Sequence, residues 1–403
     1  MATVDLVSAE FHYDPHPSYD SLRDTDGGVH RVTPGDAWLV LRYEDVSAVF
    51  RDTRTFSSNW LPTVRPGSGD PGTDVERDAR AARALGRSML FSDPPVHTKL
   101  RALVSKAFTP RAIEALRPSI EAITDRLLSN LSRGVSFDVI EEFTSPLPVE
   151  VIADMLGVPE SDREQFGRWS DASALLLAPT LPAGVRAQAR HESAEFTRYV
   201  RDVVEARRSD PGPDMISRML AADVDGDHLS AEDVVTMTHL LLVAGNETTR
   251  TLLTNCLLAL ADHPEIEQQV RADHSLIPAL IEETLRMEPS VALTYRLATC
   301  ETVVGGHRID AGSPLLLSIA AANRDHREFD DPHAFRLDRE PNRHIGFAAG
   351  AHFCLGAPLA RLEAAVALPL FLDRFPRITA DPAARVRRTD ALTRGYATAP
   401  VLL

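Results

Sequence analysis

The chain has 403 residues, with 43 Lys and Arg against 58 Asp and Glu, a formal charge of −15, and is 44% hydrophobic and 25% charged. This is a globular composition with enough length for a sizeable core, and it is too acidic for wholesale nucleic-acid binding. Three cysteines exclude a disulfide scaffold.

Met1–Asp14 lacks a basic start followed by an apolar run. The longest apolar stretch, near Leu240–Gly245, falls far short of the roughly 20 residues a membrane span needs. These features predict a soluble, cytoplasmic protein with no membrane or nucleic-acid partner.

In chain order, residues 1–57 alternate Pro-bounded turns with short strand-like runs such as Ala37–Leu41. Asn59–Gly86 is rich in Pro, Gly, Asp and Arg and reads as a long loop. From Pro94 to Arg208 the pattern is helical, broken at Pro110, Pro146, Pro159 and a hinge at Ala178–Pro182. Ser230-Ala-Glu-Asp233 forms a capping-box start, and no proline follows until Pro264. At about 1.5 Å per residue this helix runs some 50 Å, apolar nearly all round and therefore buried. Helix continues over Pro278–Met287, followed by strand-like runs at Thr294–Ala298, Ile309 and Leu315–Ile319. A helix over Leu355–Phe375 and a strand over Ala397–Leu403 complete the chain. The fold class is mainly α with small β-sheets.

The strongest motif is Phe347-Ala-Ala-Gly350-Ala-His352-Phe-Cys354-Leu-Gly356. A cysteine just ahead of a helix N-terminus sits where the helix dipole and free N–H groups favour a thiolate. Glycines let the backbone approach a flat ligand closely. Zinc-type Cys or His partners and a Cys-x-x-Cys-His attachment are both lacking. Two readings remain: an axial thiolate on a non-covalently held haem, or a buried free cysteine before an ordinary helix.

Three further groupings accompany it. Glu283 and Arg286, three apart on a helix, face the same way. Ala244-Gly245-Asn246-Glu247-Thr248-Thr249 puts an acid and an alcohol in the middle of a buried helix. There Gly costs about 1 kcal/mol relative to Ala, and a Thr hydroxyl can bond back four residues and bend the helix. The alternative is a small-residue helix contact beside a solvated Glu. His97, Arg101, Arg296 and His352 offer donors suited to buried carboxylates. His239, Cys256 and Cys300 read as inert packing residues.

The cysteine segment resembles the haem-binding loop of the cytochrome P-450 family, with Ala348 where glycine is common, and the resemblance extends over nearly the whole chain to the soluble bacterial branch. It implies one domain over 1–403, a triangular prism with a long central helix over the haem. The α-rich parts would be 94–290 and 355–375, and the β-rich parts 1–57, 291–320 and 376–403. It implies haem b bound through Cys354, with Phe347, Gly350, Gly356 and Ala244 against the ring and His97, Arg101, Arg296 and His352 at its propionates. Glu247 and Thr248 would serve oxygen activation, while Glu283 and Arg286 would lock the helix to the coil before the haem loop.

Substrate would meet Trp60, Leu90, Leu176, Leu177, Leu240, Val243, Val291, Ala292, Leu293 and Thr393. These residues predict a small apolar organic substrate, of natural-product type, oxidised by O2. No flavin or nicotinamide site is evident, so electrons would come from ferredoxin and its reductase, docking near Lys99, Lys106, Arg111, Arg343 and Arg361. Two other readings stay open here: a peroxide-driven peroxygenase, whose relatives typically carry Arg-Pro at the acid–alcohol position, and a non-catalytic haem module for sensing or docking.

Overall fold

The computed structural model describes residues 3–6, 8, 11, 13–33, 36–60, 88–176, 183–388 and 392–403. The long-loop and hinge expectations fall mainly on segments outside these. Six helices frame the site: α1 Val96–Ala107, α2 Arg163–Leu175, α3 Ala183–Ser209, α4 Ala231–Asp262, α5 Ile277–Met287 and α6 Ala357–Arg374. Two prolines that read as breaks, Pro110 and Pro146, are starts: like Pro264, Pro278 and Pro358 they sit in the first turn of their helices, where a missing N–H costs nothing.

Helix α4 is the axis. Ser230 Oγ accepts from the Asp233 amide at 3.1 Å, and Asp233 Oδ2 accepts from the Ser230 amide at 3.0 Å, closing the capping box. The helix ends at His263, where Pro264 opens the next one. One large apolar cluster unites α1, α4, α5 and α6 with the helices of residues 110–156. Gly245 explains how closely α4 approaches helix Pro146–Leu156: an added Cβ would lie 2.9 Å from Ile152 Cδ1. A side chain here would oblige the tip of Ile152 to move aside.

Two smaller apolar clusters include residues of a six-stranded sheet. Its strands are β1 Thr3–Asp5, β2 Val29–Thr33, β3 Trp38–Val40, β4 Phe56–Ser57, β5 Leu293–Ala298 and β6 Pro314–Ser318. Their order is β1-β2-β3-β6-β5-β4. β1–β2 and β3–β6 pair in parallel, and the other neighbours antiparallel.

Two expectations are corrected. Residues 136–138, inside the supposedly helical stretch, form a strand, and the single strand over Ala397–Leu403 is two. Pro400–Leu402 pairs with Ser136–Asp138, while Tyr396–Thr398 pairs with Val386–Arg387. The first pairing joins segments distant in sequence, so no local pattern announces it.

Candidate active site

The cysteine loop is shaped by backbone. Gly350 has φ +69°, and a Cβ there would fall 2.7 Å from the Phe50 carbonyl oxygen, so no side chain fits. Ala348 also adopts the left-handed region, at φ +60°, the conformation that glycine takes without strain. The Cys354 amide donates to the Phe347 carbonyl at 2.9 Å, closing the loop just ahead of α6. Burial pushes the Cys354 thiol up, while the Gly356 and Ala357 amides, Arg101 and Arg361 favour its thiolate.

Behind the loop lies a network that sequence reasoning missed. Arg361 grips Glu282 with two bonds of 2.6 and 2.7 Å, and His344 Nε2 lies 2.9 Å from Glu282 Oε2. Burial opposes the Glu282 charge, but these partners hold its pKa down to about 2. The Arg361 guanidinium lies 4.5 Å from the centre of the Phe347 ring. The only signal in the sequence was the position of Glu282 beside Glu283 and of Arg361 one turn into α6.

Next to Cys354 is a cluster of one sign. The His97 and His352 ring centres are 4.0 Å apart. Burial, then His97, Arg296 and Arg101, drive the His352 pKa down to about 3. Burial lowers Arg296 to about 10, and its one hydrogen bond goes to its neighbour's carbonyl, Tyr295 O, at 2.7 Å. Arg101 is also lowered by burial, and its one opposing influence is Cys354. Both ring nitrogens of His97 are buried without a partner. The nearby Asp93 is occupied, accepting from Ser57 Oγ and from the Ser58 amide at 2.8 Å. Among the described residues, no carboxylate pairs with these four donors.

Glu283 and Arg286 form the opposite kind of cluster, both 0% exposed. Arg286 donates two bonds to Glu283, of 2.7 and 2.8 Å, and others to the carbonyls of Asn323, Pro332 and Ala334. Glu283 also accepts from Arg339, from Asn342 and from the Arg336 amide. Burial raises its carboxyl, and these donors reverse the shift.

In α4, Thr248 Oγ1 donates to the Ala244 carbonyl at 2.6 Å, the back-bond expected of a helical Thr. Ala244 is exposed and Thr248 half-buried in a helix whose flanks are buried, so this face opens on a space. Glu247 is 7% exposed and pairs with Arg250 and, at 3.0 Å, with Arg388, so it is not a solvated Glu. Asn246 turns to α2, where Nδ2 donates to Ser170 Oγ at 2.6 Å.

The expected pocket residues divide. Trp60 packs on Tyr295 and Phe91, with ring centres 4.7 and 5.5 Å apart, Val291 bridges Thr393, and Leu90 is 46% exposed. Leu176 and Val243 are half-buried, and Leu240 is 6% exposed in the helical core. Ala292 and Leu293 are 2% and 1% exposed and pack into the N-terminal sheet cluster with Leu316, Leu39 and Val4. Strand alternation sends Leu293 to the face opposite Arg296. Leu177 lies outside the described residues. No group of three or more metal-ligating side chains occurs among the described residues.

A sulfur addressed by backbone amides, beside two buried and two half-buried donors that pair with no carboxylate among the described residues, fits a dianionic macrocycle bound through one thiolate. Fold and site thus define a haem-thiolate protein. The family model "Cytochrome P450" matches residues 68–397. Cytochrome P450 107B1 of Saccharopolyspora erythraea is 40% identical over 97% of this chain and 95% of that relative. Cytochrome P450 monooxygenase PikC of Streptomyces venezuelae is 39% identical over 98% of this chain and 92% of its own. Among solved structures, cytochrome P450 CYP109Q5 of Chondromyces apiculatus superposes with a TM-score of 0.89 at 37% identity, over 100% of this chain and 98% of that one. The chain belongs to the cytochrome P450 family and is a monooxygenase using haem iron and O2.

Proposed function

We propose that this enzyme inserts one oxygen atom from O2 into an apolar organic substrate of natural-product type, with haem b held by Cys354 and electrons delivered by a ferredoxin and its reductase. The observation that carries the haem assignment is the quartet of His97, Arg101, Arg296 and His352 beside Cys354, none of which pairs with a carboxylate among the described residues. Those four donors would take the two propionates. When bound, the haem supplies the oxygen chemistry, and the thiolate favours O–O cleavage.

The chain's residues do the rest. Thr248 presents a hydroxyl on the open face of α4, and the adjacent Glu247 holds a proton route whose position Arg250 and Arg388 fix. Trp60, Leu90, Leu176, Val243 and Val291 give the distal space apolar walls that exclude water. The relatives' names support the substrate class: 6-deoxyerythronolide B hydroxylase is 38% identical over the full length of both chains, and cyclomarin C epoxidase is 40% identical over 87% of this one. No helix among the described residues is long and apolar enough to cross a membrane, which is consistent with a cytoplasmic enzyme.

For the electron donor, the described structure narrows the basic surface. Arg361 is committed to Glu282, Lys99 pairs with Asp227 at 2.6 Å and Arg343 with Glu328 at 3.6 Å. Lys106 and Arg111 are exposed, with no carboxylate partner among the described residues, and Phe353 beside Cys354 is 42% exposed. A small acidic protein suits this surface, and its rate of reduction is expected to fall steeply with salt.

The test is turnover with peroxide alone and with a ferredoxin system, together with the carbon monoxide spectrum of reduced protein before and after Cys354→Ala. The reading requires ferredoxin-driven turnover well above peroxide-driven turnover, and a thiolate-type band abolished by the substitution. A band that survives Cys354→Ala overturns it.

A further inference from the structure

Segments far apart in sequence are stitched to one face of α4. Thr248 uses its hydroxyl on the Ala244 carbonyl, and its own carbonyl accepts a hydrogen bond from Ser290 Oγ at 2.8 Å. Two turns further along the same face, Asn255 Nδ2 donates to the carbonyls of Glu288 at 3.0 Å and Arg394 at 3.1 Å. The Ser290 carbonyl accepts from the Arg394 amide at 3.1 Å.

The short run from Glu288 to Ser290 is itself clamped. The Glu288 carboxylate receives Arg324 at 3.0 Å and Arg387 and Arg394 each at 3.2 Å. Ser290 is 6% exposed, and its neighbour Val291 bridges Thr393. A fixed strut therefore reaches from a guanidinium-locked carboxylate to the carbonyl of the residue whose hydroxyl faces the open space.

We propose that Ser290 is a positioning residue for oxygen activation: its hydroxyl, braced by Glu288 and Arg394, sets the height of Thr248 on the distal face. The main chain of Thr248 carries its hydroxyl, so a carbonyl held at a fixed distance from the wall holds the hydroxyl too. The proposal rests on the reading of Thr248 as the group serving oxygen activation. It also ties the wall at Val291 and Thr393 to Thr248 in one rigid unit.

The haem-loaded full-length enzyme carrying Ser290→Ala, Ser290→Thr or Thr248→Ala decides the matter. Two quantities are read: the infrared stretching frequency of carbon monoxide on the reduced protein, and the fraction of ferredoxin-delivered electrons lost as hydrogen peroxide. Ser290→Ala is expected to shift or broaden the stretching band and raise the peroxide fraction severalfold, with the thiolate-type visible band unchanged. Ser290→Thr, which keeps a hydroxyl, is expected to restore both. A stretching band in Ser290→Ala identical to that of the unaltered protein overturns the proposal, and so does Ser290→Thr behaving like Ser290→Ala. Thr248→Ala separates the two claims: if it leaves the peroxide fraction unchanged, the role of Thr248 fails, while the stretching band in Ser290→Ala still reports whether Ser290 sets the geometry.

Discussion

Two charge clusters differ in their arithmetic, one fully buried around Glu283 and Arg286, the other partly buried beside Cys354. Around Glu283 and Arg286 both signs are present, and carbonyls, an amide and a side-chain amide take up the remaining valences. Around His97, Arg101, Arg296 and His352 no carboxylate pairs among the described residues: His352 meets the Ser58 hydroxyl at 3.0 Å, Arg296 meets the Tyr295 carbonyl, and both nitrogens of His97 have no partner. A satisfied cluster has nothing left to bind and acts as a girder. An unsatisfied one keeps its desolvation cost until an anion arrives, which makes it a receptor. Charged residues withdrawn from solvent are thus sorted by whether the charges cancel.

The sharpest way to break this comparison is to cut each cluster and ask which form of the protein suffers. Glu283→Ala leaves Arg286 buried and unpaired and is expected to cost about 3–5 kcal/mol, as typical for such a break. Urea unfolding should report that loss in both haem-free and haem-loaded protein. Arg296→Leu is expected to act with opposite signs. Without haem the variant should be as stable as the parent or more so, because a desolvated cation has gone. With haem it should release the cofactor faster, since hydrogen bonds to charged groups contribute about 1.5–3 kcal/mol. Haem transfer to a scavenging apoprotein measures this, and an unchanged rate would remove Arg296 from the receptor.

A smaller effect comes from a titratable group outside both clusters. His239 packs edge-on against Phe196, and burial lowers its pKa to about 4. Above pH 6.5 it is neutral both folded and unfolded. As pH falls from 6.5 towards 4 the unfolded chain takes up a proton that the native chain refuses, so stability declines across that window. Melting curves of His239→Leu should show a flatter acid limb than the parent. The smallest expected effect is at Ala348, where the left-handed backbone strains an L residue. Ala348→Gly should raise stability by about 1 kcal/mol in denaturant titrations, with the carbon monoxide spectrum unchanged.

Much of the site was legible because it is written locally. The Cys354 loop, the capping box at Ser230 and the Thr248 back-bond are each fixed by residues within a few positions of one another. Glu283 and Arg286 could be paired on helical spacing, but their burial could not be read, because the carbonyls that receive Arg286 come from Asn323 to Ala334. The same reason hid the strand at Ser136–Asp138, the bridge from Arg361 to Glu282 and the brace at Glu288. The burial of Ala292 and Leu293 in the sheet cluster was not legible for another reason: neighbouring apolar residues look alike in sequence until strand alternation assigns each a face.

The bare backbone of Gly350 rests against the carbonyl of Phe50, so an early helix forms the floor beneath a late loop, while His97 and Arg101 reach in from between them. During synthesis, then, the nascent chain exposes half a cradle long before its sulfur leaves the ribosome. Porphyrin capture through that sulfur would have to wait until Cys354 is made, 58 residues after Arg296, which makes cofactor supply a condition for late maturation and not for early folding.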